Sequence, residues 1–117
     1  MTTREQAIRL CLEQPGSYED YPFGPEWAII RHRAGNKMFA AIFERQGRVW
    51  LNLKAAPEWG EFWRRVYPSV GPAFHMNKRH WVSVILDGSV PVGEIERMVG
   101  DSFRLTEVRG RKKGPSL

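Results

Sequence analysis

Residues 27–54 hold three stretches that read as strands, about 27–33, 37–44 and 48–54, separated only by Ala34-Gly35-Asn36 and Arg45-Gln46-Gly47. Gaps this short, each with a glycine, close hairpins and leave no room for the crossover that a parallel pair requires. An antiparallel meander is therefore expected. In the last stretch Val49, Leu51 and Leu53 alternate with Arg48, Trp50, Asn52 and Lys54, the period of a strand with one buried and one wet face.

Helical patterns flank the meander. Thr3-x-x-Gln6 fits a capping box, opening a helix from Thr2 or Thr3 to Gln14 that buries Ala7, Ile8, Cys11 and Leu12 before Pro15-Gly16 stops it. Residues 15–26 mix prolines, glycines and aromatics and read as an ordered, packed loop. Pro57 opens a second helix whose Trp59, Phe62, Trp63 and Val66 form a one-sided stripe, expected to be core. Pro68, Gly71 and Pro72 make 67–74 a poor central strand, so Ala73–Met76 is expected to pair with Trp81–Leu86 across Asn77-Lys78-Arg79-His80. A last helix, about 91–109, turns Val92, Ile95, Val99 and Phe103 inward, although Gly93 and Gly100 each cost it ~1 kcal/mol relative to Ala. The order α-β-β-β-α-β-β-α predicts an α+β, two-layer fold: an antiparallel five-stranded sheet with helices on one side and the other face open.

The 117 residues suit one domain, 1–108, followed by a basic, flexible tail, 109–117. The longest apolar run, Met38–Phe43, is far short of the ~20 residues of a membrane span, and the N-terminus leads into no signal-like apolar segment. A single cysteine, Cys11, cannot form an internal disulfide and reads as a small core residue with no base beside it. The expectation is a cytoplasmic protein with no membrane contact, a monomer or weak dimer.

The net charge of +5 is unevenly spread. Residues 28–54 carry +5 and 70–86 carry +2, while 1–27 and 87–108 carry −3 each and the tail Arg109–Lys113 carries +4. The basic middle places Arg33 and Lys37 around one hairpin tip, Arg45 and Arg48 around another, and Lys78 and Arg79 in a third turn. Cations at tips can reach phosphates; they also discourage edge-to-edge aggregation. Trp50 is expected to point outward between Arg48, Asn52 and Lys54, with Phe39, Phe43 and Lys37 sharing one parity on the neighbouring strand and Trp81 beside them. Stacking surface mixed with positive charge suits single-stranded nucleic acid; cover by the 15–26 loop, the tail or a partner is the alternative.

His75 and His80 bracket a short turn that, with Asn77 and Trp81, is a candidate pocket. Two imidazoles leave a zinc site short of a third protein ligand, so packing around the turn is the expected role and neither metal nor cofactor is expected. Glu19-Asp20 stands beside no nucleophile, and no phosphate loop or nucleophile elbow occurs. No catalytic residue is assigned.

The chain resembles the MmcQ/YjbR family of small bacterial proteins over about residues 4–108. The resemblance is carried by Glu19-Asp20-Tyr21-Pro22-Phe23-Gly24, Lys37-Met38-Phe39-Ala40 and Leu51-Asn52-Leu53-Lys54 leading into Pro57-Glu58. It continues through Tyr67-Pro68, Gly71-Pro72, His75-Met76-Asn77-Lys78-Arg79-His80-Trp81 and Asp87-Gly88. It implies a secretion-chaperone-like α-β3-α-β2-α architecture and a DNA-binding role, the latter by analogy between its two hairpins and winged, double-wing folds. The family supplies no agreed catalytic residues, and the Arg109–Lys113 tail lies outside its pattern. The function expected is non-enzymatic DNA binding through Arg33, Lys37, Arg48, Trp50, Lys54, Lys78 and Arg79, with a chaperone-like protein- or peptide-binding module as the alternative.

Overall fold

The computed structural model describes residues 1–108, so the expected basic tail lies outside the described residues. The elements run α1 (Arg4–Leu12), β1 (Ser17–Asp20), β2 (Ala28–His32), β3 (Met38–Arg45), β4 (Arg48–Lys54), α2 (Pro57–Val66), β5 (Val70–Pro72), β6 (Trp81–Ile85) and α3 (Val92–Leu105). The fold is α+β, with one antiparallel sheet of spatial order β1-β2-β3-β4-β6-β5.

The predicted meander forms, and its turns have the expected chemistry. Gln46 and Gly47 both take positive φ, 55° and 75°, and close β3–β4 in two residues; that backbone twist matches the twist of the strands it joins. The predicted capping box is also present: Thr3 Oγ1 accepts from Gln6 N, and Gln6 Oε1 accepts from Thr3 N.

The sheet has six strands, not five. Ser17–Asp20, read as loop, pairs with 29–32 of β2 as an edge strand. Its acidic Glu19-Asp20 suits an edge with one wet side and hides the strand from a search for apolar alternation. At the other edge the partner of β6 is Val70–Pro72, not Ala73–Met76. Pro72 fits there because an edge strand need not donate on both sides, and 73–80 becomes a loop folded over the sheet.

The helices line one face. Buried Leu51, Leu53, Val82 and Val84 meet Ala7, Cys11, Trp63, Ile95, Val99 and Phe103 in one core. Two predictions fail within this layer. In α2 only Trp63 of the predicted stripe is buried, whereas Trp59, Phe62 and Val66 are 38%, 40% and 46% exposed. The helix docks instead along its Gly60–Trp63 side, where a Cβ on Gly60 would lie 3.3 Å from Val82 Cγ1. In α3, Ile95, Val99 and Phe103 are buried as expected, but Val92 is exposed.

A β-bulge decides which aromatics face the helices. Ile30 pairs with Ala40 and Arg31 with Met38, so Phe39 is the extra residue of β3. The bulge turns Phe39 inward, edge-on to Phe103 at 5.1 Å and to His32 at 5.2 Å. Phe43, expected to share a face with Phe39, lies on the opposite face, stacked on Trp27.

Candidate nucleic-acid interface

The sheet face away from the helices is partly covered, not open. Asn52, expected to be wet, is fully buried. Its Nδ2 donates to Phe74 O at 3.0 Å, its Oδ1 accepts from Ser83 Oγ, and Ser83 Oγ in turn accepts from Phe74 N at 2.9 Å. This clasp pulls the 73–80 loop onto β4 and β6, and it satisfies polar groups that would otherwise be costly to bury.

Under the loop runs an aromatic stack. Trp27 and Phe43 are parallel within 12° at 4.0 Å; Phe43 then meets Trp50 at 6.0 Å and Phe74 at 5.8 Å. The Arg45 guanidinium lies 4.9 Å over Trp50 and 4.2 Å over Phe74, and Trp50 Nε1 donates to Arg45 O. Trp50, predicted as a free stacking surface, is thus half-buried and flanked by the chain's own groups. Arg45, read from the sequence only as a tip cation beside Arg48, is returned over Trp50 by the two-residue turn.

Beside the stack is a hollow of about 430 Å³ lined by Phe23, Trp27, Ile29, Met38, Ala41, His75 and Met76. Arg4 donates to the carbonyls of Pro25 and Glu26 at 2.5 and 3.0 Å and so fastens the 21–27 loop that carries Phe23 and Trp27. Of the four residues predicted for a pocket, His75 lines this one; Asn77, His80 and Trp81 do not. Asn77 instead organises the turn, its Oδ1 accepting from Arg79 N and His80 N and its carbonyl from Trp81 N. His80 is exposed and its carbonyl accepts from Ala55 N. Among the described residues no group of three or more His, Cys, Asp or Glu side chains is placed to hold a metal ion.

The register divides the predicted phosphate contacts between the two ends of the sheet. His32 N bonds Lys37 O, Ala40 pairs with Leu53, and Lys54 pairs with Trp81. Arg33, Lys37, Lys54, Lys78 and Arg79 therefore share one end, across three strand steps or about 14 Å. Arg33, Lys37, Lys78 and Arg79 are exposed and Lys54 is half-buried. None of the five has a carboxylate within ion-pairing distance among the described residues. Arg33 lies over the Tyr18 ring, and Lys78 Nζ reaches Ala73 O at 2.7 Å. Arg48 stands at the other end, 3.7 Å from Asp87. Hydrogen bonds from Ser69 and Ser89 hold the Asp87 carboxyl down at about 2.

No helix among the described residues is long and apolar enough to cross a membrane. The chain is 36% identical to YbdF of Escherichia coli O157:H7 over 101 residues, covering 86% of this chain and 81% of that one. It is 33% identical to YyaQ of Bacillus subtilis over 119 residues, covering 92% and 100%. Among solved structures, that of Deinococcus radiodurans DR2400 superposes with a TM-score of 0.83 at 34% identity, covering 94% of this chain and 82% of the other. A Pseudomonas syringae protein superposes at 0.80 and 30% identity, covering 90% and 99%. The YjbR family model matches residues 12–105, and the chain belongs to the MmcQ/YjbR family.

Proposed function

We propose that this protein is a non-enzymatic nucleic-acid-binding domain whose phosphate contacts lie along the end of the sheet formed by Arg33, Lys37, Lys54, Lys78 and Arg79. The observation that carries this reading is their alignment without carboxylate partners among the described residues. Cations already ion-paired would have to break that pair before meeting a phosphate; these five, with no carboxylate partner among the described residues, can displace condensed counterions without that step. The Asn77-centred turn also holds the backbone of Lys78 and Arg79 in place, so less ordering is left to the moment of binding. Arg48, engaged with Asp87 at the opposite end, drops from the contact set.

A second reading, protein or peptide binding, is favoured by exposed Trp59, Phe62 and Val66 on α2. One titration separates the two. With ¹⁵N-labelled protein and single-stranded DNA, the first reading expects amide shifts at residues 33–37, 54 and 77–81. Shifts absent there, with a peptide library moving the α2 resonances, would replace it with the second.

A further inference from the structure

We infer that the hollow between Phe23 and Trp27 receives one unstacked base of a single-stranded nucleic acid; this rests on the phosphate-binding reading above. Its walls select a flat, polarisable guest. Trp27 is backed by Phe43 at 4.0 Å and braced for a ring to lie against. Met38 and Met76 contribute thioethers, which make favourable contacts with aromatic rings, and His75 adds an imidazole. Phe23 forms the lip and is 70% exposed, so a guest beneath it would cover an apolar ring now in water. The volume, about 430 Å³, lies in the ~300–1,000 Å³ range of sites that bury small organic groups.

The rim indicates what such a ring is attached to. Met38 follows Lys37 directly, and Met76 stands two residues before Lys78, so both thioethers lead into the cationic end of the sheet. Arg31, the cross-strand partner of Met38, is already paired with Asp20 at 2.8 Å and donates to Asn36 O at 3.0 Å, so the cations this rim offers a phosphate are Lys37 and Lys78. An aromatic guest tethered to phosphates matches both features. A neutral aromatic side chain of a peptide would use the hollow and leave the cations idle.

The backbone supplies an independent sign. His75 holds φ at +64°, a conformation that non-glycine residues adopt at a cost. It is kept there by its neighbour Phe74, whose N–H and C=O are both taken by the Ser83–Asn52 clasp. The result is an imidazole tilted against Phe74 at 4.0 Å and 6.4 Å from Trp27, at the wall of the hollow. Strain maintained in this way clusters at sites of binding. A base within a duplex cannot reach such a hollow without leaving its stack, so the expected ligand is single-stranded.

The test compares oligo(dT) of about twelve nucleotides, within the usual span of single-strand binding sites, with an abasic oligomer of equal length and charge. Both are titrated into the full-length protein and its Phe23→Ala variant over a salt series. The inference expects the abasic strand to bind roughly tenfold or more weakly, as loss of base–aromatic stacking requires. It expects Phe23→Ala, a change at an exposed lip, to weaken oligo(dT) towards the abasic value with the salt slope unchanged. A 2-aminopurine in the strand should be quenched by the native protein and less so by the variant. Equal affinity for the two strands, or a base preference untouched by Phe23→Ala, with the salt slope intact, overturns the base pocket and leaves the phosphate reading standing. Absence of salt-sensitive binding to either strand overturns both.

Discussion

The indole of Trp27 lies flat on the ring of Phe43, 4.0 Å away and within 12° of parallel. One residue comes from the Pro/Gly-rich loop and the other from the central meander, so this pair fastens the loop to the sheet and sets one wall of the hollow. Phe43 is the hub: it is 1% exposed and also meets Trp50 and Phe74.

Phe43→Ala should therefore cost about 3–5 kcal/mol, the range for a buried Phe reduced to Ala. Urea unfolding monitored by far-UV circular dichroism measures it. A loss below about 1 kcal/mol, well under that range, would mean that the stack is not a core of the molecule.

Ser83→Ala removes the acceptor of Phe74 N–H and the donor to Asn52 Oδ1 in one change. The expected cost is about 1–3 kcal/mol for the buried polar groups left unsatisfied, with exchange of the Phe74 amide accelerating at least tenfold relative to the amides of β3. Unchanged exchange at Phe74 would show that the loop is held by other interactions.

His32 gives the fold a defined pH response. Its imidazole is buried, with Nε2 2.7 Å from Thr106 Oγ1 and its ring 4.4 Å from Phe103, and burial lowers its pKa against a smaller opposing pull from Glu107. The neutral ring is the form that fits. Above the ordinary histidine value of about 6.5, neither folded nor unfolded chain protonates and the contribution is fully present. Below it the unfolded chain takes up a proton that the folded one resists, so stability falls as pH falls towards the lowered folded pKa. Unfolding at pH 8 and pH 5.5 should show this loss, and His32→Phe should remove most of the difference; an equal loss in the variant would assign the response elsewhere.

Cys11 is fully buried, and burial pushes its thiol up to about 12. A thiol so protonated is a poor nucleophile. It should react with a disulfide reagent at pH 8 only as fast as the chain opens, and at once in denaturant. Rapid modification of the native protein would contradict its place in the core.

Much of this was legible in the sequence, and the exceptions share a cause. Alternation at Val49, Leu51 and Leu53, the glycine turns and Thr3-x-x-Gln6 are local signals, and each produced the element expected. The features that escaped depend on tertiary placement. A bulge at Phe39 reverses parity in mid-strand, so counting by twos from Phe43 puts Phe39 on the wrong face. Glu19-Asp20 forms a strand because β2 is available beside it, not because its own pattern demands one. Trp59 and Phe62 carry the period of a buried stripe, but α2 docks through Gly60, and Trp59 meets the Arg97 guanidinium at 4.7 Å and the rings of Phe62 and Trp63 on its own helix. For the candidate site, the individual cations were readable; their division between opposite ends of the sheet needed the register.

The salt dependence of single-stranded DNA binding decides whether the cationic end of the sheet meets phosphate, measured on the full chain, on a Lys37→Ala/Lys78→Ala/Arg79→Ala variant, and on one with Arg109, Arg111, Lys112 and Lys113 changed to Ser. The first variant should weaken binding and flatten log K against log salt by up to ~0.7 for each phosphate it no longer neutralises, while the tail variant should keep most of the native slope. Native affinity and slope in the first variant, with binding abolished in the second, would contradict phosphate contact there.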